Sequence, residues 1–280
     1  MSPFGAAIRA AARDTRGRAG LTFLSLLLLL ALLAPAVLPD PAAQPDPLGA
    51  SNLPPSLLHP FGTDPLSRDL LSRVVTGARV SLAVAFLAVA LSITLGALVG
   101  VAAGYLGDTV DTALMRLVDG ALAIPRLFLL LLVLAVWERV PVLMLVVFIG
   151  TTGWFGTSRL VRAEVLRIRE ESFIRAAEAL GARRRRIIFR HLLPNAVGPL
   201  LVAATLGVGD VILVEAGLSF LGLGVQPPTP SWGGMILDAK SVLVTAPWNA
   251  IFPGLAILGT VLSANLVSDA LRDAVDPGSA

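Results

Sequence analysis

The chain contains five uncharged, mostly apolar runs that are each long enough to cross a lipid bilayer. A helix needs about 20 such residues to span about 30 Å of hydrocarbon. The runs cover residues 19–39, 80–107, 140–158, 191–209 and 241–268. Composition agrees, because 55% of the residues are apolar and 15% are charged, whereas a soluble domain is about 45–50% apolar and about 25% charged. The chain is therefore predicted to be an all-α polytopic membrane protein.

The less apolar stretch 112–136 is predicted to form a sixth span. Its uncharged part, residues 127–137, is too short to cross the hydrocarbon alone. The helix must therefore also carry Arg116, Asp119 and Arg126. Six transmembrane helices are predicted in all, near residues 20–38, 80–104, 112–136, 141–161, 196–216 and 249–270.

Three acidic residues in or near these spans are candidates for the translocation pathway: Asp119, Asp210 and Glu215. Ionisable groups are costly in lipid and often mark the route of a solute or ion. For Asp119, an ion pair with Arg116 on the same face of the third helix is the favoured alternative. Asp210 and Glu215 are predicted near the outer end of the fifth helix, where they either line the pathway or face water.

The distribution of arginine predicts that both termini face the cytoplasm. Six crossings put the termini on the same side of the membrane. Fifteen arginines lie in the segments on that side, which are residues 1–20, 105–111, 159–191 and 271–280. Four arginines and the only lysine lie in the opposite segments, residues 40–79, 137–140 and 217–248. Loops rich in Arg and Lys stay cytoplasmic, so the terminal segments 1–20 and 271–280 are expected inside.

The first apolar run also imitates a secretory signal peptide. Basic residues precede it, and the small-residue sequence Ala34-Pro35-Ala36 lies at its end. However, the run is longer than the 7–15 residues typical of the apolar part of a signal peptide. A retained first span is therefore expected, with cleavage as the alternative.

The cytoplasmic stretch "FIRAAEALGARRRRIIFRHLLPN", residues 173–195, combines small residues with a dense cluster of arginines. The segment from Glu164 to His191 is predicted to be helical, with Arg175 forming ion pairs to acidic residues on neighbouring turns, Glu171 and Glu178. Gly181 is predicted to end a helix in a left-handed turn. Pro194 is predicted to mark the break before the next span.

The small side chains in this stretch favour docking against a partner protein. Ala176, Ala177 and Gly181 leave a face of low relief, which permits close approach of another surface. The alternative is a helix lying on anionic lipid. However, the four consecutive arginines 183–186 point all round a helix and make a poor amphipathic stripe.

The same stretch resembles the cytoplasmic coupling loop of ABC-importer permeases. The pattern of that loop is Glu-Ala-Ala, three residues, Gly, nine residues, an apolar residue, one residue and Leu-Pro. The match departs from it at two positions, because Arg175 takes the place of Glu and His191 that of the apolar residue. The resemblance implies a helix that inserts into a cleft of an ATPase subunit, with the coupling residues Arg175, Ala176, Ala177, Glu178, Gly181, Ala182, His191, Leu193 and Pro194.

Other segments resemble one branch of that family, the second permease of dipeptide, oligopeptide and nickel importers. Ser67 stands where this branch usually has Gly. The segments are residues 59–82, 104–125, 215–235, 246–257 and 271–277. The resemblance implies a type I ABC-importer permease fold, with a permease domain at residues 77–270 and a coupling loop at residues 162–194. The implied cargo is a peptide or a related small solute such as a nickel complex.

The resemblance also implies an assembly in a bacterial or archaeal cytoplasmic membrane. Its expected members are a homologous second permease, two ABC ATPase subunits and an extracytoplasmic substrate-binding protein. Membrane lipid is a further expected partner of this chain. Nucleic acid is not an expected partner, because the arginines cluster beside the spans.

Energy is expected to come from another polypeptide. A phosphate-binding loop needs Gly-x-x-x-x-Gly-Lys-Ser/Thr, and the only lysine, Lys240, follows Asp-Ala. No cofactor, catalytic residue or metal site is expected on this chain, since it has no cysteine and His59 is isolated from other ligands. The alternative is a secondary transporter or channel driven by an ion gradient, but no inverted repeat is evident.

Two extracytoplasmic segments complete the prediction. Residues 40–79 are expected to contain a short amphipathic helix. Its apolar side would consist of Leu66, Leu70, Leu71, Val74 and Val75. Residues 217–248 are rich in Gly, Pro and Trp, which predicts irregular structure, with Trp232 and Trp248 at the membrane interface. Its length beyond an ordinary connection favours a docking role for the binding protein.

Overall fold

The computed structural model describes Gly5, Arg9 and residues 11–46, 49–137 and 139–275. Within these residues the fold is all-α, as predicted, with one isolated β-bridge between Thr63 and Asp69. The helices are α1 Thr15–Val37, α2 Leu70–Leu106, α3 Asp108–Leu122, α4 Arg126–Leu134, α5 Val142–Arg169, α6 Ser172–Ala179, α7 Arg184–Ile187, α8 Leu193–Phe220, α9 Trp232–Ala239 and α10 Trp248–Val275.

Five helical segments in the described part are long and apolar enough to cross a membrane, and α3 with α4 makes a sixth if the pair counts as one bent span. The five are Thr15–Val37, Leu70–Leu106, Val142–Arg169, Arg184–Phe220 and Trp248–Ala274. Most of each of the five uncharged runs of the sequence therefore lies in one such helix. The terminal tail beyond residue 275 and most of the first ten residues lie outside the described residues.

The third predicted span is not one continuous helix. Helix α3 ends at Leu122, α4 begins at Arg126, and the two axes are bent by 78°. Pro125 explains the break, because proline has no N–H to donate and disfavours helical backbone at the residue before it. The prediction of a single helix at residues 112–136 was therefore wrong.

The prediction of a short amphipathic helix within residues 40–79 is also wrong. Helix α2 begins at Leu70 and continues without interruption to Leu106, so the amphipathic turns belong to the second span itself. The Asp69 carboxylate caps its start by accepting a hydrogen bond from Ser72 N–H at 2.8 Å. Leu66 lies in the loop before the helix and is exposed.

The chain is helical through Pro194, where a break was predicted. A π-helical turn, Ile188–Leu192, joins α7 to α8, and Leu193 N–H donates to Ile188 O across it. Pro194 then occupies the first turn of α8. This position needs no N–H of its own, and the wider π turn before it accommodates the proline ring.

Helices α2 and α5 pack closely along a row of glycines. Gly96, Gly100 and Gly104 recur every fourth residue on α2, and a Cβ added at Gly100 would lie 2.6 Å from Ser158 O on α5. Small residues at this spacing let two membrane helices approach each other. The largest buried cluster lies between α2, α5 and α8 and includes Leu145 and Ile212. Helices α2 and α5 form the scaffold from which the predicted coupling loop projects.

Candidate functional site

The predicted coupling loop carries a tight turn built around Gly181. Helix α6 ends at Ala179, and Gly181 has a φ of +77°. Ala182 N–H donates to Ala177 O at 3.0 Å, and Gly181 N–H donates to Glu178 O at 2.9 Å. These two bonds form a Schellman arrangement. The left-handed turn predicted at Gly181 is therefore confirmed.

One side of the loop packs against the end of α5, and the tip of the loop is exposed. Ile174 on α6 is buried in a small apolar cluster with Val165 and Ile168 of α5 and with Ile187 and Leu192 beyond the turn. By contrast, the Leu180 side chain at the tip is 88% exposed. The tip of the loop therefore presents an apolar side chain next to the turn, with no described residue covering it.

A cleft of about 410 Å³ opens beside this turn. It brings together residues from both sides of the hairpin, which are Ala177, Leu180, Gly181, Ala182, Arg183, Arg186 and His191. Four of these are predicted coupling residues that are up to fourteen positions apart in the chain. Arg175, Ala176, Glu178, Leu193 and Pro194 lie outside the lining of the cleft.

The ion pairs around Arg175 differ from the prediction. Its guanidinium pairs with Glu170 rather than with Glu171 or Glu178. Glu171 instead pairs with Arg167 at 3.4 Å. A turn of the backbone between α5 and α6 puts Glu170 at the end of α5 and within reach of Arg175.

The three predicted pathway residues lie in different environments. Asp119 pairs with Arg159 on α5, so its predicted pairing with Arg116 was wrong. Asp210 on α8 is exposed, and its Oδ2 lies 2.5 Å from Arg126 Nη1. Glu215 is buried within the packing of α2 and α8, so it does not share the open surface of the other two.

Glu215 connects the spans to the outer loop through serine hydroxyls. Ser219 Oγ donates to its Oε1 at 2.7 Å, and Ser81 Oγ donates to its Oε2 at 3.3 Å. These serines in turn accept backbone N–H groups, Ser219 from Val225 at 3.2 Å and Ser81 from Trp232 at 3.3 Å. The carboxylate therefore fixes residues 225–232 over the ends of α2 and α8.

Trp232 lies in the interior, not at the membrane interface where it was predicted. Its ring is fully buried, and its Nε1–H donates to Val74 O at 3.0 Å. Ser231 caps helix α9, which follows it. The prediction of irregular structure for residues 217–248 was therefore wrong for this helix. The apolar face of α2 near Val74 provides the pocket that holds this part of the outer loop against the spans.

A cluster of buried charges at the outer surface was missed by the sequence analysis. We define the outer ion cluster as Asp64, Arg68, Arg73 and Asp238. Asp64 Oδ2 accepts from Arg68 Nε at 2.5 Å and lies 2.9 Å from Arg73 Nη1, whose N–H is not aligned for a hydrogen bond. Asp238 Oδ2 accepts from Arg68 and Arg73 at 3.2 and 3.1 Å. The cluster joins the loop before α2, the start of α2, and α9.

His59 has a partner in the same region. Its Nδ1 lies 2.9 Å from Asp69 Oδ2, beside the start of α2. Among the residues that the structure describes, no group of three or more histidine and acidic side chains could hold a metal ion. The geometry therefore gives His59 a role in fixing the loop before α2.

Asp238 is expected to make the stability of this outer region depend on pH. Burial raises the pKa of its carboxyl above the usual value and Asp64 adds to that effect, whereas Arg68 opposes it. A pKa that is higher in the folded than in the unfolded state gives stability at acid pH that is lost as the pH rises through the raised pKa. The difference in unfolding free energy between the wild type and Asp238→Asn should therefore fall as the pH rises above the usual carboxyl pKa of about 4. Thermal unfolding of both proteins in detergent measures it, and a difference that grows with pH contradicts the assignment.

Comparison with known proteins places the chain in a family. The family model described as "Binding-protein-dependent transport system inner membrane component" matches residues 92–280. The chain belongs to that family. This match begins within α2 and includes the whole predicted coupling loop, residues 162–194. The predicted fold and family resemblance are confirmed, and the chain is a multi-pass permease subunit of a binding-protein-dependent transport system.

Relatives of this permease cover nearly all of its length. The dipeptide transport system permease protein DppC of Alkalihalophilus pseudofirmus is 40% identical over 278 residues, which cover 99% of this chain and 90% of that protein. A putative peptide permease protein of Brucella suis biovar 1 is 43% identical over 274 residues, with 96% and 90% covered. The oligopeptide transport system permease protein OppC of Bacillus subtilis is 37% identical over 258 residues, with 92% and 84% covered.

Proposed function

We propose that this permease translocates peptides into the cell as one subunit of an ATP-driven ABC importer. The observation that carries the proposal is the cytoplasmic hairpin, with its exposed Leu180, rigid Gly181 turn and adjoining cleft. The sequence holds no phosphate-binding loop, so this hairpin serves as the contact through which an ATPase acts. The names of the relatives support peptides as the class of solute. The resemblance to the dipeptide, oligopeptide and nickel branch of permeases also keeps a nickel complex as a candidate solute.

The proposed assembly contains a homologous second permease, two ATPase subunits and an extracytoplasmic substrate-binding protein. ATP and Mg²⁺ bind to the ATPase subunits, and this chain performs no hydrolysis. The coupling loop, residues 162–194, docks into the ATPase through the predicted residues Arg175, Ala176, Ala177, Glu178, Gly181, Ala182, His191, Leu193 and Pro194. The binding protein docks on the outer surface formed by the loop before α2 and the segment around α9. The pathway lies at the interface with the second permease.

The structure of the loop supports a rigid transmission of force. Ile174 is buried against Val165 and Ile168 near the end of α5, so movement of α6 must carry α5 with it. Beyond the turn, α7 is continuous through the π-helical segment with α8. Closure of the ATPase subunits would therefore move two spans at once. The proposed cycle is alternating access, in which ATP-driven closure opens the cavity outward, the binding protein delivers the peptide, and hydrolysis resets the spans.

Reconstitution tests this proposal against a transporter driven by an ion gradient. The chain together with its second permease, ATPase subunits and binding protein should take up peptide into proteoliposomes only with ATP. The same chain without ATPase subunits should carry no solute when a proton or sodium gradient is applied. Uptake by the chain alone on a gradient would overturn the proposal.

Reporter fusions test the proposed orientation. A fusion after Arg190 should score as cytoplasmic, because the arginine-rich hairpin is retained inside. A fusion near Pro228, in the outer loop, should score as external. Alkaline phosphatase and green fluorescent protein give opposite signals on the two sides and control for expression. The reverse pattern at both sites would invert the topology and remove the docking role of the hairpin.

A further inference from the structure

An ion pair lies on an open surface of this permease, between the two ends of a membrane-spanning helix. Asp210 is about ten residues before Phe220, the last residue of α8. At 1.5 Å per residue this places it about 15 Å inside the outer end of the helix, which is about half the hydrocarbon thickness. The side chains of Arg126 and Asp210 are 26% and 60% exposed. Charged groups at this depth are very costly in lipid, so this surface does not face lipid.

The backbone beside the pair leads to the same conclusion. Ala123, Ile124 and Pro125 join α3 to α4 outside regular helix, and all three residues are exposed. Irregular backbone at membrane depth is tolerated only where protein buries it or where it lines water. Nothing in the described part of the chain covers this break. Water in an aqueous passage would form hydrogen bonds with the exposed backbone and would also solvate the exposed charges.

The geometry of Arg126 leaves its pairing with Asp210 free to exchange. Its Nε donates to Thr152 Oγ1 at 3.2 Å and its Nη2 donates to Ile149 O at 2.8 Å, both on α5. These neutral acceptors hold the guanidinium in place. Only Nη1 is directed to Asp210. A solute carboxylate could therefore take the place of Asp210 without displacing Arg126 from α5.

The surroundings favour an anion at Arg126 and a cation at Asp210. Helix α4 starts directly at Arg126, and within the described residues no side chain caps its N-terminal N–H groups. Free N–H groups and the helix dipole add positive potential at this end. Asp210 projects from the neighbouring helix α8 and is the more exposed partner. A zwitterion, with its ammonium and carboxylate, matches both groups.

We propose that Arg126 and Asp210 form a solute-binding station on a water-lined passage. It receives the carboxylate of a zwitterionic peptide at Arg126 and the ammonium at Asp210, and the internal ion pair opens while the peptide is bound. This inference rests on the proposed function as a peptide permease. The exposed pair Asp119–Arg159 continues the polar surface toward the cytoplasmic end of α5. The pair re-forms after the peptide leaves, so the passage keeps no unpaired charge.

Cysteine accessibility tests the aqueous surface. The chain has no cysteine of its own, so single substitutions report one position each. In the assembled complex in proteoliposomes, Ile124→Cys should react with a charged methanethiosulfonate reagent. The control is Leu132→Cys on α4, whose side chain is 73% exposed but lies in an apolar helix that can face lipid. If Ile124→Cys reacts as slowly as this control, lipid or the second permease covers the break, and the proposal is overturned.

Transport of chemically blocked peptides tests the binding chemistry. The measurement uses the complete complex with saturating binding protein and peptides that the binding protein holds equally well. Asp210→Asn should lower ATP-dependent uptake of a peptide with a free amino terminus about tenfold, with an effect under about twofold on the N-acetylated form. Arg126→Gln should discriminate in the same way between a free carboxylate and a C-terminal amide.

A matched variant separates solute binding from structural pairing. Asp108→Asn removes an exposed carboxylate at the start of α3 that is remote from Arg126, and it should leave both uptake ratios unchanged. If Asp210→Asn lowers uptake of blocked and free peptides equally, its role is structural and the proposal is overturned. Wild-type rates in the double variant Arg126→Gln, Asp210→Asn would also overturn it. Failure of the proposed function is distinct, because the wild-type complex would then show no ATP-dependent peptide uptake.

Discussion

Gly181→Trp should reduce recovery of the ATPase subunits with this permease at least about tenfold, and with it ATP-dependent uptake. Two effects combine at this position. Gly181 has a φ of +77°, and an L-residue in this region costs about 1–2 kcal/mol. The indole would also occupy the open side of the turn beside Leu180, which is the proposed contact with the ATPase. Affinity capture of the permease from detergent extracts, followed by quantification of the ATPase subunits, measures the result.

Gly222→Trp is the matched control for this prediction. Gly222 has a φ of +83°, and at both glycines no described atom lies within 4 Å of an added Cβ. The backbone strain and the free space are therefore the same, but Gly222 lies in the outer loop after α8. Recovery of the ATPase should stay at the wild-type level in this variant. Equal losses at both glycines would show a general folding defect, and full coupling in Gly181→Trp would remove the docking role of the loop.

Gly181→Ala distinguishes strain from bulk at the same position. The methyl group enters open space, so the variant retains only the conformational cost of about 1 kcal/mol. ATPase recovery should fall no more than about fivefold. A loss as large as that of tryptophan would mean that the shape of the backbone turn, rather than the room beside it, determines docking.

The features that were predicted correctly from the sequence depend on residues that are close together in the chain. Most of the run at residues 241–268 lies in α10, which begins at Trp248, because the length of an apolar segment alone makes it able to span hydrocarbon. The turn at Gly181 was predictable because a left-handed backbone is a local property of glycine. The cleft beside it depends on the same local turn. The coupling role of Gly181 rests on the family resemblance and stays a prediction.

The errors concern choices between near and distant partners. Asp119 has Arg116 one turn away on its own helix, but it pairs with Arg159, forty positions later. This choice depends on how α3 lies against α5, and one sequence does not contain that information. Trp232 is similar, since an indole suits an interface as well as an interior site. The carbonyl of Val74, far earlier in the chain, decides the question.

The break between α3 and α4 had a signal that hydropathy does not register. Ile124-Pro125 is a sequence at which helices end, whereas a count of apolar residues treats both as part of a span. Arg126 directly after this proline was a second signal, because a charge beside a broken helix at membrane depth requires a polar environment. Together they mark the surface on which the proposed solute-binding station depends.

Asp64→Asn should lower the free energy of unfolding by about 3–5 kcal/mol. Asp64 is shared by two buried guanidinium groups, Arg68 and Arg73, and removing its charge leaves them with Asp238 alone. Breaking a buried ion pair by removing one partner has a cost of about this size. It is a large part of the roughly 5–15 kcal/mol that stabilises an ordinary domain. Titration of the purified permease from dodecyl maltoside into sodium dodecyl sulfate, followed by circular dichroism, measures the loss.

Asp40→Asn provides the control on the same side of the membrane. Asp40 is exposed and its carboxylate accepts a hydrogen bond from Ala42 N–H at 2.8 Å, so its replacement should change stability by about 0.5 kcal/mol or less. A small effect at both positions would mean that water reaches Arg68 and Arg73 and screens their charges. The outer ion cluster would then not be the element that holds α9 to the start of α2. In that case the buried Trp232 and the serines around Glu215 would be the remaining contacts able to move the outer loop together with the spans.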